Sequence, residues 1–76
     1  MTERQTLLLE TYPDFVADNL RSMRTIRKNL GWRLGTTARN AGFTPQYYSQ
    51  IELLRVVPRK DMYNKLACFF DWEIWE

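Results

Sequence analysis

Histidine is absent from this 76-residue chain, and cysteine occurs only once, at Cys68. Without histidine, Ser-His and Cys-His catalytic pairs and most transition-metal sites are excluded. A single cysteine forms no disulfide within the chain, and its apolar neighbours predict a buried, inert thiol. We therefore expect no enzyme, no metal site and no cofactor.

Long apolar runs are also missing. The N-terminal stretch holds three consecutive leucines at residues 7–9, which is too short for a signal peptide or a membrane span. A chain of this length forms one domain, with a core near the lower limit for independent folding. We expect a cytoplasmic protein with one domain over residues 13–76. Residues 1–12 form an N-terminal extension that is an arm, a dimer element or a disordered segment.

The net charge is only +2, but the charges are unevenly distributed. Residues 1–18 contain four acids against one arginine, whereas residues 19–51 contain six basic residues and no acid. Such clustering is typical of surfaces that bind a phosphate backbone, although a solvated helix face looks similar. Charge alone therefore leaves both interpretations open. A second basic group consists of Arg55, Arg59, Lys60 and Lys65.

Apolar residues recur at helical spacing in four segments, and no segment shows the alternation of a strand. The first helix is predicted over about residues 13–30, with Pro13 in its first turn. The fourth is predicted over about residues 59–70, and the tail after it is expected to lay Trp72 or Trp75 on the core. Trp32 is expected to cap the core between the first two helices. The apolar helix faces predict these core residues: Val16, Leu20, Met23, Ile26, Leu30, Ala38, Tyr48, Ile51, Leu66 and Phe69.

The second and third helices are short and separated by a turn that contains glycine. The second is predicted over about residues 34–41, with Gly42 suited to the left-handed conformation that ends a helix. Thr44 is the expected cap and Pro45 the first residue of a third helix over about residues 45–53. Two short helices joined by such a turn form the unit that places its second helix in the major groove of DNA.

Residues 31–52, together with Pro58, resemble the helix-turn-helix of the phage lambda repressor and Cro family, also called the XRE family. The shared features are an alanine in the second helix, the glycine of the turn, a hydroxyl residue capping the third helix, Ile51-Glu52 near its end, and the downstream proline. The resemblance covers roughly residues 15–75. It implies an all-α bundle of four to five helices that binds a double-stranded DNA operator.

Size and resemblance together imply a Cro-like repressor of a phage or mobile element. Such a regulator acts at the nucleoid of a bacterial or phage-infected cell and needs no cofactor. The chain departs from the family at several positions. Leu34 stands where many members have a glutamine that contacts phosphate, and Pro45 stands where members often place a base-reading residue. Extra residues between Arg24 and Gly31 leave the register of the first helix open.

The resemblance assigns base reading to the outer face of the third helix, which here carries Gln46, Tyr47, Ser49 and Gln50. A glutamine amide matches N6 and N7 of adenine, and the spacing of Gln46 and Gln50 places both on one face. No DNA contact is expected from the first-helix cations Arg21, Arg24, Arg27 and Lys28. The expected phosphate contacts, which set affinity and register, are Arg33, Thr36, Arg39, Thr44, Arg55, Arg59 and Lys60.

The C-terminal aromatic cluster of Trp72, Ile74 and Trp75 is either core or a homodimer interface. A dimer suits proteins that read two half-sites a helical turn apart. Leu34, Pro45 and this tail also leave open a second function, in which the same fold binds another regulator or a toxin. The chain would then be an anti-repressor or an antitoxin.

Overall fold

Four α-helices are present in the computed structural model, which describes residues 9–76. They are α1 (Asp14–Asn29), α2 (Leu34–Ala41), α3 (Pro45–Glu52) and α4 (Lys60–Phe70). Each predicted helix is confirmed, with its ends within one residue of the predicted ones. Leu9 and Glu10 are also helical, and residues 9–76 contain no strand. The all-α fold is therefore confirmed.

The ends of the helices follow from local chemistry. Pro13 precedes α1, and Asp14 places a carboxylate near the positive end of the helix dipole. The hydroxyl oxygen of Thr44 accepts a hydrogen bond from the Tyr47 amide at 3.2 Å, and Pro45 occupies the first position of α3. The predicted cap of α3 is therefore confirmed, because this bond satisfies one of the free amides of the first turn.

The turn between α2 and α3 depends on Gly42. Its φ of 89° lies in the left-handed region, and its amide donates to the carbonyl of Arg39. The ammonium of Lys65 on α4 donates to the Gly42 carbonyl at 2.8 Å and lies 5.0 Å from the centre of the Phe43 ring. α4 therefore holds the turn from outside as well as from the core.

The core lies where the four helices meet. α2 packs on both α3 and α4, and α1 packs on α3. Tyr48 and Tyr63 are its largest fully buried side chains. The Tyr63 hydroxyl accepts a hydrogen bond from Asn19 at 2.9 Å and donates to the Glu73 carbonyl at 3.1 Å. The buried apolar residues are Leu9, Val16, Ala17, Leu20, Met23, Ala38, Ala41, Phe43, Tyr48, Ile51, Tyr63, Leu66 and Ala67.

Several predicted core positions are wrong. Leu30 is 52% exposed because α1 ends at Asn29, and the neighbouring Arg27 takes the buried position instead. Cys68 is exposed, not buried, because α4 turns its Leu66 and Ala67 side chains to the core. Trp32 does not cap the core between α1 and α2 but lies against Phe69 and Phe70 of α4. Ile26 is only half-buried. Phe69 is also half-buried, but it packs against the core as predicted.

The described packing begins before the predicted domain boundary at residue 13. Leu9 is buried, and the hydroxyl of Tyr12 donates to the Pro58 carbonyl at 2.9 Å. Residues 9–12 are therefore part of the domain. The rest of the predicted extension, residues 1–8, lies outside the described residues.

The C-terminal tail packs on the domain without forming a helix. Asn64 holds Trp75 by both backbone groups, with two hydrogen bonds of 2.8 Å. Trp72 stacks on Phe70 at 4.7 Å, and both tryptophans are half-buried against the core. The expectation that Trp72 or Trp75 lies on the core is confirmed. None of the helices found between residues 9 and 76 is long and apolar enough to cross a membrane.

We predict that Gly42→Ala lowers the free energy of unfolding by about 1–2 kcal/mol, because a side chain is strained at positive φ. The added Cβ would also lie 2.6 Å from Lys65 Cε. The matched control is Gly35→Ala, where a Cβ is in ordinary contact with Arg39 and the helix gains up to about 1 kcal/mol. Urea unfolding measures both variants, and a Gly42→Ala variant as stable as the parent would contradict the strain.

Candidate nucleic-acid interface

The outer face of α3 carries most of the predicted base-reading side chains. Gln46 is exposed, and Ser49 and Gln50 are half-buried. Leu53, 38% exposed at the end of α3, follows at the same helical spacing and extends this face with an apolar side chain. The structure thus brings the two glutamines and the serine together on the side of α3 opposite to Tyr48 and Ile51.

Tyr47 differs from the other predicted base-reading residues. It is half-buried, and its ring packs on Phe43 with centroids 5.8 Å apart. Phe43 is itself buried and carries the Lys65 ammonium over its ring. The ring of Tyr47 therefore supports the turn between α2 and α3, which leaves less of its surface for contact with a base.

The predicted phosphate contacts of α2 form an exposed set. Arg33, which precedes the helix, and Thr36 and Arg39 within it are all exposed. Thr44 is also exposed, and because its oxygen accepts the Tyr47 amide, its hydroxyl hydrogen remains available as a donor. A set of exposed donors around one end of a helix-turn-helix is suited to phosphate oxygens.

The loop after α3 carries the remaining predicted phosphate contacts. The amide of Arg55 donates to the Gln50 carbonyl at 2.9 Å, which folds the chain back directly after α3. Arg55 and Arg59 are exposed. Lys60 is different, because its ammonium donates to the Glu76 carbonyl at 2.6 Å and lies over the Trp75 ring. The structure therefore ties Lys60 to the C-terminal tail.

A buried ion pair fixes α3 on α1. The Arg27 Nε donates to Glu52 Oε2 at 2.6 Å, and its Nη2 donates to Oε1 at 3.1 Å. Arg27 is 7% and Glu52 8% exposed. The hydrogen bond to Glu52 raises the pKa of Arg27 despite its burial, so the guanidinium stays charged. Sequence reasoning missed this pair and treated Arg27 as one more surface cation.

The same guanidinium also reaches the start of α2. Arg27 Nη1 donates to the Trp32 carbonyl at 2.8 Å, and the Trp32 amide donates back to the Arg27 carbonyl at 3.1 Å. One side chain therefore fixes both the end of α3 and the segment that leads to Arg33. These two regions include residues that the sequence predicts as base and phosphate contacts.

Tyr48 lies beside this ion pair in the core. Burial and the neighbouring Glu52 carboxylate raise the pKa of Tyr48, so the phenol stays neutral. Its hydroxyl is the one buried side-chain polar atom of residues 9–76 without a hydrogen bond of good geometry, and the Glu52 carboxylate is the acceptor beside it. No group of three or more potential metal ligands occurs in that part of the chain.

We predict that Glu52→Gln lowers the free energy of unfolding by about 3–5 kcal/mol, because it leaves a buried guanidinium without its counter-charge. The double variant Arg27→Met with Glu52→Leu removes both charges and recovers most of the loss. Urea unfolding measures all the variants.

The matched control is Asp18→Asn. It breaks the exposed contact of Asp18 with Arg21, where the atoms are 3.8 Å apart, and we expect a loss below about 1 kcal/mol. Equal small losses for Glu52→Gln and Asp18→Asn would show that the buried pair contributes no more than a surface contact.

Comparisons with protein-family models, with curated proteins and with solved structures found no match to this chain. The resemblance noted in the sequence therefore stays a prediction. The function is argued below from the surface that α2, α3 and the loop after α3 form.

Proposed function

We propose that this chain binds double-stranded DNA through α3 and acts as a Cro-like transcriptional repressor of a phage or mobile element. The observation that carries the proposal is the outer face of α3. It presents Gln46, Ser49 and Gln50 next to a short turn, and exposed cations lie on both sides of it in the chain. The cations are Arg33, Arg39, Arg55 and Arg59.

The chemistry of this face suits a major groove better than a protein surface. Its glutamine amides offer a donor and an acceptor together, which is the pattern that adenine presents in the major groove. The one carboxylate of α3, Glu52, is buried and paired with Arg27, so it does not repel phosphate. The chain from residue 19 to residue 51 contains no other acid.

The mechanism that follows is occupancy. The exposed arginines set affinity and orientation by contacting phosphates, and α3 selects the sequence. Repression then results when the bound protein blocks polymerase or a competing regulator in the cytoplasm. Of the tail residues proposed for a homodimer, Trp72 and Trp75 are half-buried against their own domain, and Ile74 remains 42% exposed. A homodimer contact through the tail therefore centres on Ile74.

The direct test is selection of a binding site from random duplexes, followed by titration of the selected duplex at several salt concentrations. With four exposed arginines on phosphates, we expect log K to fall against log salt with a slope of about −3 to −4 per domain. Fluorescence anisotropy of a labelled duplex measures the slope. No affinity for any duplex at low salt would refute the proposal and favour the protein-binding alternative.

We further predict that Gln50→Ala weakens binding to the selected duplex by about 1–3 kcal/mol and leaves non-specific binding nearly unchanged, because it removes a base contact and no charge. Thr25→Ala, at an exposed position of α1, is the control and should change neither. Equal loss on random duplexes would show that Gln50 positions the protein and does not read the sequence.

A further inference from the structure

A groove of about 480 Å³ lies beside the start of α2 and is not used by the base-reading face. Its walls are the rings of Trp32 and Phe69, and its polar edge consists of Arg33, Thr36 and Asn40. Its volume falls within the range of roughly 300–1,000 Å³ that is typical of small-molecule sites. The combination of aromatic walls and a few convergent polar groups is also typical of such sites.

The aromatic wall is held in place before any ligand binds. Trp32 lies 5.6 Å from Phe69 and stacks on Phe70 at 6.2 Å with an interplanar angle of 29°. Arg27 holds the backbone of Trp32 by both its carbonyl and its amide. Even so, Trp32 remains 40% exposed. A large aromatic surface that is fixed and yet accessible binds with little loss of conformational entropy.

The polar edge of the groove carries one positive charge and no negative one. Arg33, Thr36 and Asn40 are exposed, and within residues 9–76 their side chains have no hydrogen-bond or ion-pair partner. A guanidinium binds a carboxylate with two parallel hydrogen bonds. The hydroxyl and the amide suit further polar atoms of the same ligand.

We propose that this groove binds a small planar aromatic carboxylate. The ring of the ligand lies against Trp32 and Phe69, and its carboxylate pairs with Arg33. A phosphate backbone alone would leave the aromatic walls unused, and among the described residues that line the groove Arg33 is the one cation.

Binding in this groove also has a regulatory consequence, which rests on the proposed function. Arg33 and Thr36 are two of the expected phosphate contacts, so a carboxylate on Arg33 competes with DNA. The chain would then lose affinity for its operator when the ligand is present.

The binding test uses indole-3-acetate as the probe and indole-3-acetamide as its neutral control, with the intact protein labelled with ¹⁵N. We expect indole-3-acetate to shift backbone N–H resonances, with the largest shifts at residues 31–33, 36, 40 and 69. Indole-3-acetamide should bind more weakly because it lacks the negative charge. Shifts of equal size from both probes, or shifts spread over the surface cations, would overturn the site.

The matched variants are Arg33→Gln in the groove and Arg24→Gln on the exposed side of α1. Arg33→Gln should weaken the binding of indole-3-acetate by about tenfold, and Arg24→Gln should leave it unchanged. Asn40→Ala gives a second groove variant that removes no core contact. If the Arg33→Gln variant bound indole-3-acetate as tightly as the parent protein does, the proposal would be overturned.

The regulatory half is tested on the selected duplex. Indole-3-acetate at ten times its own Kd should lower the apparent DNA affinity by about elevenfold through mass action. Unchanged DNA affinity in saturated protein would overturn the regulatory half. If the chain had no affinity for DNA, the proposed function would be refuted. The NMR titration would still test whether the groove binds indole-3-acetate.

Discussion

The arrangement of α2 and α3, the helices proposed to face DNA, depends on the buried guanidinium of Arg27. Its hydrogen bonds reach the Glu52 carboxylate at the end of α3 and the Trp32 carbonyl before α2. Removing a guanidinium and a carboxylate from water is expensive, and their attraction offsets that cost only when the geometry is good and the remaining donors are satisfied. Here the Arg27 guanidinium donates two hydrogen bonds to the Glu52 carboxylate and a third to the backbone carbonyl of Trp32. The pair therefore acts mainly by specifying one arrangement of α1, α2 and α3.

In the proposed function that arrangement matters, because base contacts and phosphate contacts must be made in register on the same duplex. Displacement of α3 relative to Arg33 would separate base contacts from phosphate contacts, and both are needed for specific binding. A second set of hydrogen bonds holds the C-terminal tail. Tyr63 joins α1 to the tail through Asn19 and Glu73. Tyr12 bonds to Pro58 and lies against Trp75, and Asn64 of α4 holds the tail, so hydrogen-bonded segments enclose a core of modest size.

Much of the fold could be predicted from the sequence because its signals are local. Gly42, Thr44 and Pro45 act through their own backbone geometry, so the ends of α2 and α3 were predicted within one residue. Arg27 could not be recognised as buried, because its partner lies 25 positions away and only the fold brings them together. Cys68 is the opposite case, a residue predicted to be buried that is exposed. Its apolar neighbours suggested burial, yet the rotation of α4 about its axis decides exposure.

The candidate site also shows how much discrimination one domain supplies. Pro45 occupies the first predicted reading position and Tyr47 packs on Phe43, so the proposed base contacts fall mainly to Gln46 and Gln50. Each good bidentate pair contributes about 1–3 kcal/mol of discrimination, which gives roughly 2–6 kcal/mol for the two glutamines. Specific binding generally exceeds non-specific binding by roughly 4–10 kcal/mol. Two domains on two half-sites cover that range, whereas one domain reaches only its lower part, so high specificity in the proposed repression calls for a second copy on the operator.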